Sequence, residues 1–79
     1  MSTTRRANVA GLGLIGGSIA RALTERGWHV SGDDHIPGRA QQAVELGYTA
    51  AVGLDPEAEI TFVATPVLSL VDQVKRALL

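Results

Sequence analysis

Apolar and polar positions follow two different periods along this chain, as short apolar runs and as longer amphipathic stretches. The short runs are rich in valine, alanine and glycine, and they predict four strands, at about residues 6–12, 28–32, 48–52 and 60–64. Amphipathic stretches after the first, second and fourth runs predict helices over residues 15–26, 37–46 and 67–79. Strands that alternate with helices in this way indicate a parallel sheet with right-handed crossovers.

The apolar spacing also predicts which face of each helix packs on the sheet. In the first helix this face carries Ile15, Ile19, Leu23, Ala20 and Ala22, and in the second it carries Ala40, Ala43, Val44 and Leu46. Gly27 and Gly47 are predicted to end these helices, and Pro37 to lie in the first turn of the second. In the third helix Val67, Val71, Val74 and Leu78 share one face. Residues 55–59 are predicted to form a turn or a single helical turn.

A glycine motif follows the first predicted strand and opens the first predicted helix. It has the pattern Gly-x-Gly-x-x-Gly, with Gly11, Gly13 and Gly16 as its glycines. Gly11 allows a tight turn, Gly13 lacks the Cβ that would block a pyrophosphate, and Gly16 lets the helix pack closely on the strand. The backbone amides of Leu14 and Ile15 would face that pyrophosphate. The motif therefore predicts dinucleotide binding; the alternative is a tight turn whose glycines serve packing only.

A carboxylate pair, Asp33 and Asp34, closes the second predicted strand about 20 residues after the glycine motif. A carboxylate at this place accepts hydrogen bonds from the adenosine ribose and repels a 2′-phosphate, which favours NAD over NADP. Arg39 follows five residues later, and we interpret it as a solvated residue of the second helix rather than a phosphate ligand.

The motif requires the first strand to be central, so the predicted strand order is 3-2-1-4. This arrangement is the first half of a doubly wound α/β (Rossmann) fold with one strand added. Residues 1–79 would form a single dinucleotide-binding unit without a catalytic or dimerisation domain. The fourth strand would then be an open edge, which the remainder of an enzyme or a self-association partner would cover.

Composition narrows the possible functions. The chain has 79 residues, 46% of them hydrophobic, and a formal net charge of -1, which offers no basic surface for nucleic acid. No stretch approaches the roughly 20 apolar residues of a membrane helix. The chain has no cysteine, so it can form no disulfide or thiolate metal site, and we expect a reducing cytoplasm. Arg5 and Arg6 precede an apolar stretch, but that stretch is the glycine motif and not an export signal.

Three strings of the chain carry a resemblance to a known family. They are Gly-Leu-Gly-Leu-Ile-Gly-Gly-Ser at residues 11–18, Val-Ser-Gly-Asp-Asp at residues 30–34, and Ala-Thr-Pro-Val at residues 64–67. Together they resemble the N-terminal part of prephenate and arogenate dehydrogenases. The resemblance implies NAD-dependent oxidative decarboxylation of prephenate or arogenate, in tyrosine biosynthesis.

The resemblance also implies roles for individual residues. It assigns the ribose carboxylate to Asp34, with Asp33 as the neighbour that a one-residue slip would exchange for it. Thr65 would lie near the nicotinamide ribose, besides capping the final helix. The family's catalytic histidine and substrate-binding arginines fall beyond this chain, and we assign no catalytic role to His29 or His35. The chain alone is therefore predicted to be inactive.

Two other interpretations stay open at this point. The chain could be a truncated nucleotide-binding or regulatory module without catalysis, or a fragment of another β-hydroxyacid-type dehydrogenase. The Ala-Thr-Pro-Val string supports the wider superfamily more than the single family, whereas the longer glycine string is more particular.

Overall fold

The computed structural model of the chain describes residues 4–65, and these form a four-stranded parallel sheet with two helices. The elements are β1 (Arg6–Ala10), α1 (Leu14–Glu25), β2 (His29–Asp33), α2 (Arg39–Glu45), β3 (Ala51–Val52) and β4 (Ile60–Val63). The strand order is β3-β2-β1-β4, which confirms the predicted order 3-2-1-4 and the partial doubly wound fold. The predicted third helix lies outside the described residues. Neither α1 nor α2 is long and apolar enough to cross a membrane.

β1 is a central strand, as the motif requires. Val9 aligns with Gly32 of β2 on one side and with Phe62 of β4 on the other. Ala7 and Val9 of β1 and Val30 of β2 are fully buried, because they lie on the two inner strands, where the rest of the chain covers the sheet. β3 has only two residues, so β2 has a short partner on its outer side, and β4 lies at the opposite edge of the described sheet.

Both helices end in the same hydrogen-bonded turn, as the two glycines predict. In α1 the Gly27 amide donates to the Thr24 carbonyl, and the Trp28 amide donates to the Leu23 carbonyl. Gly47 and Tyr48 repeat this pattern after α2, and both aromatic rings then pack against the core. Tyr48 belongs to this turn, whereas the sequence predicted it as the start of the third strand. β3 is therefore shorter than predicted.

The predicted packing face of α1 is wrong at its two outer positions. Ile15 is 70% exposed and Ala22 is also exposed, whereas Gly16 and Ala20 are the buried residues of the helix. The close approach of Gly16 to the end of β1 sets the rotation of the helix. The buried line therefore runs through Gly16 and Ala20, with Ile19 and Leu23 half-buried beside it.

The start of α2 also differs from the prediction. Pro37 precedes the helix, in a turn where the Arg39 amide donates to the Ile36 carbonyl at 3.2 Å. Gly38 has a φ of 82°, so Pro37 and Gly38 occupy the central positions of a type II turn. At the other end of α2, Leu46 is 57% exposed rather than buried, because the helix ends at Glu45 and Leu46 is its C-cap. Ala40 and Ala43 are buried as predicted.

A buried asparagine anchors the connection between β3 and β4. The Asn8 side chain is on the central strand; its Oδ1 accepts from the Asp55 amide at 2.7 Å, and its Nδ2 donates to the Asp55 carbonyl at 2.9 Å. Arg6 Nη1 lies 3.0 Å from the Asp55 carboxylate and holds the same residue from the start of β1. Residues 55–58 form a turn within the predicted span: the Ala58 amide donates to the Asp55 carbonyl at 3.2 Å, and the Glu57 amide donates to Asp55 Oδ1 at 2.8 Å. These contacts bring the chain back to β1 in the register that β4 needs.

Candidate functional site

The glycine loop leaves the carboxyl end of β1 between the ends of β2 and β4. Gly11 has a φ of 98°, a conformation that L side chains rarely adopt, and its amide donates to the Asp33 carbonyl at 2.8 Å. A Cβ at Gly11 would lie 2.8 Å from the carbonyl atoms of Ala64. The turn and its contact with the end of β4 therefore both require glycine here.

Gly16 brings α1 against this turn. A Cβ at Gly16 would lie 1.6 Å from the Gly11 carbonyl oxygen and 2.8 Å from its carbon. The helix can therefore approach the strand end only because this side chain is missing, which is the packing that the motif predicts for its last glycine.

Gly13 differs from the other two glycines of the motif. Its φ of -71° and ψ of -157° lie in the extended region that any residue adopts, and Gly13 is the N-cap of α1. A Cβ built there would meet only Arg39 Nη1, at 3.7 Å. Nothing in the described protein requires glycine at this position. The space that the missing Cβ leaves is open to a ligand.

The N-terminus of α1 offers donors to the same space. No side chain of the described residues caps the helix, and no acidic residue stands in its first turn. The first amides of a helix lack intrahelical acceptors and carry the positive end of the helix dipole. The amides of Leu14 and Ile15 belong to this turn, so an anion beside Gly13 would face them.

The Asp34 carboxylate ties the glycine loop to the turn before α2. Its Oδ2 accepts from the Leu12 amide at 2.6 Å, and its Oδ1 accepts from the Ile36 amide at 2.8 Å. The side chain is only 2% exposed. Arg39 Nη1 lies 3.7 Å from Oδ2, and His35 Nδ1 lies 3.7 Å from Oδ1. Asp34 thus has a bracing role within the chain that the sequence did not indicate.

These neighbours keep Asp34 ionised. Burial by itself would raise the pKa of the Asp34 carboxyl. The amide hydrogen bonds from Ile36 and Leu12, together with the charges of Arg39 and His35, outweigh burial and hold the pKa below its ordinary value of 3.8. The site therefore carries a fixed negative charge at neutral pH.

We expect this carboxyl to make the fold sensitive to acid. Because its folded pKa is lowered, the stabilisation is complete above the unfolded pKa and is lost as pH falls through the folded value. The free energy of unfolding should thus decline below about pH 4, and Asp34→Asn should reduce that decline. The part of the decline that is due to Asp55 should remain, because the Glu57 amide and Arg6 lower the pKa of the Asp55 carboxyl as well. Urea unfolding between pH 7 and pH 3 measures both slopes. Equal slopes in the two chains would contradict the assignment.

Asp33 occupies a different place from its neighbour. It is exposed at the end of β2, and its Oδ1 accepts from the Asp34 amide at 3.0 Å. It lines a small cavity of about 140 Å³, which Asp34, His35 and Thr65 also line. The two carboxylates therefore lie on adjoining cavities, with Asp34 in the larger one.

The larger cavity lies at the carboxyl edge of the sheet and measures about 520 Å³. It is lined by Gly11, Gly13, Leu14, Ile15, Asp34, His35, Ile36, Arg39, Ala64 and Thr65. The structure thus brings most of the predicted site residues to one cavity. Gly16 lies outside the lining and acts through packing, and Asp33 lies in the adjoining cavity.

Thr65 contributes a buried hydroxyl to this cavity. Its Oγ1 has no hydrogen-bond partner among residues 4–65. The helix that it was predicted to cap lies outside the described residues. A buried hydroxyl at the cavity is a natural partner for a polar ligand atom.

The sequence missed Arg39 and Ile36 as cavity residues. Arg39, interpreted as a solvated residue of the second helix, begins α2 with its side chain 38% exposed, and it also lines the cavity beside Asp34. The turn at Pro37 and Gly38 changes the direction of the chain, so that the start of α2 faces the glycine loop. The signal was the Pro-Gly pair itself, which is typical of a type II turn.

Comparison with solved structures gives a relative in both sequence and fold. The arogenate dehydrogenase of Synechocystis is 31% identical to this chain, with a TM-score of 0.80 over 90% of the chain. This chain spans only 27% of that protein. No protein-family model and no curated protein matches the chain. In sequence and in fold the chain is thus similar to a part of an arogenate dehydrogenase, and this similarity supports the prephenate and arogenate dehydrogenase family.

Proposed function

We propose that the chain binds NAD in the cavity at the carboxyl edge of its sheet, as the dinucleotide-binding part of a dehydrogenase that acts on prephenate or arogenate. The observation that carries the proposal is Gly13. It is the glycine of the motif that no contact among residues 4–65 requires, and it borders a cavity that also holds a buried carboxylate.

The residues of the cavity fit the parts of the cofactor. The space beside Gly13, next to the amides of Leu14 and Ile15, suits a pyrophosphate. Each Asp34 oxygen accepts one amide and has a second lone pair for a ribose hydroxyl. The Thr65 hydroxyl offers a further hydrogen bond. When bound, NAD would supply the acceptor for a hydride from the substrate.

The charge of Asp34 favours NAD over NADP. Its lowered pKa keeps the carboxylate negative at neutral pH, and a 2′-phosphate placed against it would meet a like charge. Asp33, exposed on the adjoining cavity, adds to the same field.

A titration with NAD tests the proposal and the assignment of the carboxylate. In amide-resolved NMR spectra, NAD should shift the signals of residues 11–16 at lower concentration than NADP does. Asp34→Ala should lower the affinity for NAD and reduce the difference between the affinities for NAD and NADP, since each lost hydrogen bond to a charged group costs about 1.5–3 kcal/mol. Asp33→Ala is the matched control and should retain NAD. If Asp33→Ala loses NAD binding while Asp34→Ala retains it, the carboxylate that binds the ribose is Asp33. If NAD shifts no signal, the proposal is wrong.

The described residues hold no group placed for the chemical step. His29 starts β2, at the end of the sheet opposite the glycine loop, and His35 lies on the ribose side beside Asp34. We propose that the substrate and the group that takes its hydroxyl proton are held by other parts of the intact enzyme. The edge of β4, where Ile60 and Val63 are 42% and 48% exposed, would pair with that remainder or with a second copy.

Accordingly, the chain alone should oxidise neither prephenate nor arogenate. Hydride transfer requires a substrate held over the nicotinamide and a base within hydrogen-bonding reach of it. The absorbance of NADH, followed after mixing the purified chain with NAD and either substrate, measures this. Turnover above the rate without protein would show that catalytic groups lie within this chain.

A further inference from the structure

A groove of about 340 Å³ between α1 and α2 has no role in the proposed function. One end of it adjoins the cofactor cavity, and Gly13, Leu14 and Arg39 line both. The other end is lined by Arg21 and Tyr48. Arg21 follows Gly13 by eight residues, so it lies about 12 Å farther along the axis of α1. The groove therefore extends well beyond the glycine loop, and its volume is in the range of sites for small organic molecules.

The charged side chains that line the groove are all positive. They are Arg21 and Arg39, and no aspartate or glutamate among residues 4–65 belongs to the lining, although the chain has a formal net charge of -1. A cleft with charge of one sign concentrates ions of the opposite sign. The groove therefore favours an anion.

Arg21 has donors to offer to such an anion. Its Nε donates to Glu25 Oε1 at 3.1 Å, and its guanidinium lies 5.9 Å from the centre of the Tyr48 ring. Its two Nη groups donate to no residue among 4–65. The side chains of the Arg21–Glu25 pair are 62% and 64% exposed, and such surface pairs are weak. A carboxylate can therefore bind the free Nη groups in the paired geometry that a guanidinium prefers.

Apolar side chains also line the groove. Leu14 is 89% exposed and Leu46 is 57% exposed, and the Tyr48 ring forms part of the wall between α2 and the core. A ligand that covers these side chains gains from the apolar area removed from water. An anion with an apolar body therefore fits the groove better than a bare inorganic ion.

Gly17 leaves space at the side of α1 that faces the groove. It lies inside the helix, where glycine is less favourable than alanine. A Cβ built there would meet only the Leu12 carbonyl oxygen, at 3.7 Å, so no contact among residues 4–65 requires glycine. A longer side chain at this position would enter the groove. Glycine thus keeps the groove open to a ligand.

We propose that this groove is a second ligand site, for a small organic anion that places a carboxylate on Arg21 and an apolar body against Leu46 and Tyr48. The cation that anchors the ligand lies in the middle of α1, away from the carboxylates at the end of β2. The site does not depend on the proposed binding of NAD.

Hexanoate is the probe for a titration followed in amide-resolved NMR spectra. It should shift the signals of Gly17, Ser18 and Gln42, which line the groove and not the cofactor cavity, with a Kd on the order of 1 mM. Hexanamide has the same apolar body without the charge, and inorganic phosphate has the charge without the apolar body. Both should bind the groove at least about five-fold more weakly than hexanoate.

Variants of the groove should change the affinity for hexanoate in opposite directions. Arg21→Gln should lower it at least about five-fold, whereas Arg26→Gln, with the same change of net charge at the exposed C-cap of α1, should leave it unchanged. Glu25→Gln frees the guanidinium and should raise the affinity about two-fold, and the exposed Glu57→Gln is its matched control. Gly17→Leu should fill the groove and leave no detectable binding.

A loss of hexanoate binding in Arg21→Gln that Arg26→Gln does not share supports the site. Equal losses in these two variants would overturn it, because the effect would then be one of net charge. Equal binding of hexanamide would also overturn it, as would shifts confined to the cofactor-cavity residues Ile15, His35 and Ile36. If Gly17→Leu does not fold, Arg21→Gln and Glu25→Gln decide the matter. Failure of NAD to bind would contradict the proposed function and leave this site unaffected.

Discussion

Gly16→Ala is expected to unfold the chain. The new methyl group would lie 1.6 Å from the Gly11 carbonyl oxygen, and that backbone cannot withdraw, because Gly11 packs on Ala64 and donates to the Asp33 carbonyl. Overpacking of side chains alone costs about 1–3 kcal/mol, and a backbone clash costs more. A domain of this size has a total stability of only about 5 kcal/mol to lose. The loss of far-UV circular dichroism and of amide dispersion measures the effect.

Gly17→Ala is the matched control, one residue further along the same helix. A Cβ there would lie 3.7 Å from the Leu12 carbonyl oxygen, an ordinary contact. Alanine in place of glycine inside a helix stabilises it by about 0.5–1 kcal/mol. Gly17→Ala should therefore unfold at the same or a higher urea concentration than the wild type. If both variants unfold at the same concentration, α1 does not pack through Gly16 as described.

Gly13→Val should abolish NAD binding while the chain stays folded. The backbone at Gly13 suits any residue, and among residues 4–65 a Cβ there would meet only Arg39 Nη1, at 3.7 Å. The cost to the helix cap is therefore below about 1 kcal/mol. The side chain would instead fill the space proposed for the pyrophosphate. Gly13→Ala should lower the affinity for NAD at least about ten-fold, and Gly13→Val should leave no detectable NAD binding.

Thermal unfolding and an NAD titration, made on the same samples, separate the two effects. Gly17→Ala again serves as the control, because Gly17 lines only the groove between α1 and α2 and should leave NAD affinity unchanged. Retention of wild-type NAD affinity by Gly13→Val would refute the role of this glycine and place the ligand elsewhere. Unfolding of Gly13→Val would show that Gly13 serves packing, as the alternative interpretation of the motif holds.

The pattern along the chain was sufficient for the architecture. Alternating strand and helix periods, with a glycine motif after the first strand, lead to a parallel sheet of order 3-2-1-4, and the structure has that order. Such features are local, since a 3.6-residue period or a glycine at a turn depends on neighbours in sequence. For the same reason Gly27 and Gly47 marked the ends of α1 and α2 correctly.

The positions of individual side chains needed the folded chain. Ile15 has helical spacing with Ile19, yet it is exposed at the cavity, because the contact between Gly16 and Gly11 sets the rotation of α1. Asn8 shows no motif, and its role arises from Asp55, a residue 47 positions away.

The same limit applies to the candidate site. Glycine spacing nominated Gly13, and the distance from the motif to the carboxylate pair nominated Asp33 or Asp34, since both depend on distances along the sequence. The choice of Asp34 between the two came from the family resemblance. That Asp34 braces Leu12 and Ile36, and that Arg39 lies beside it, follows from the meeting of two loops at the carboxyl edge of the sheet. Spacing along a chain specifies which residues can serve a turn or a helix face. Only tertiary packing determines which charges then share one cavity.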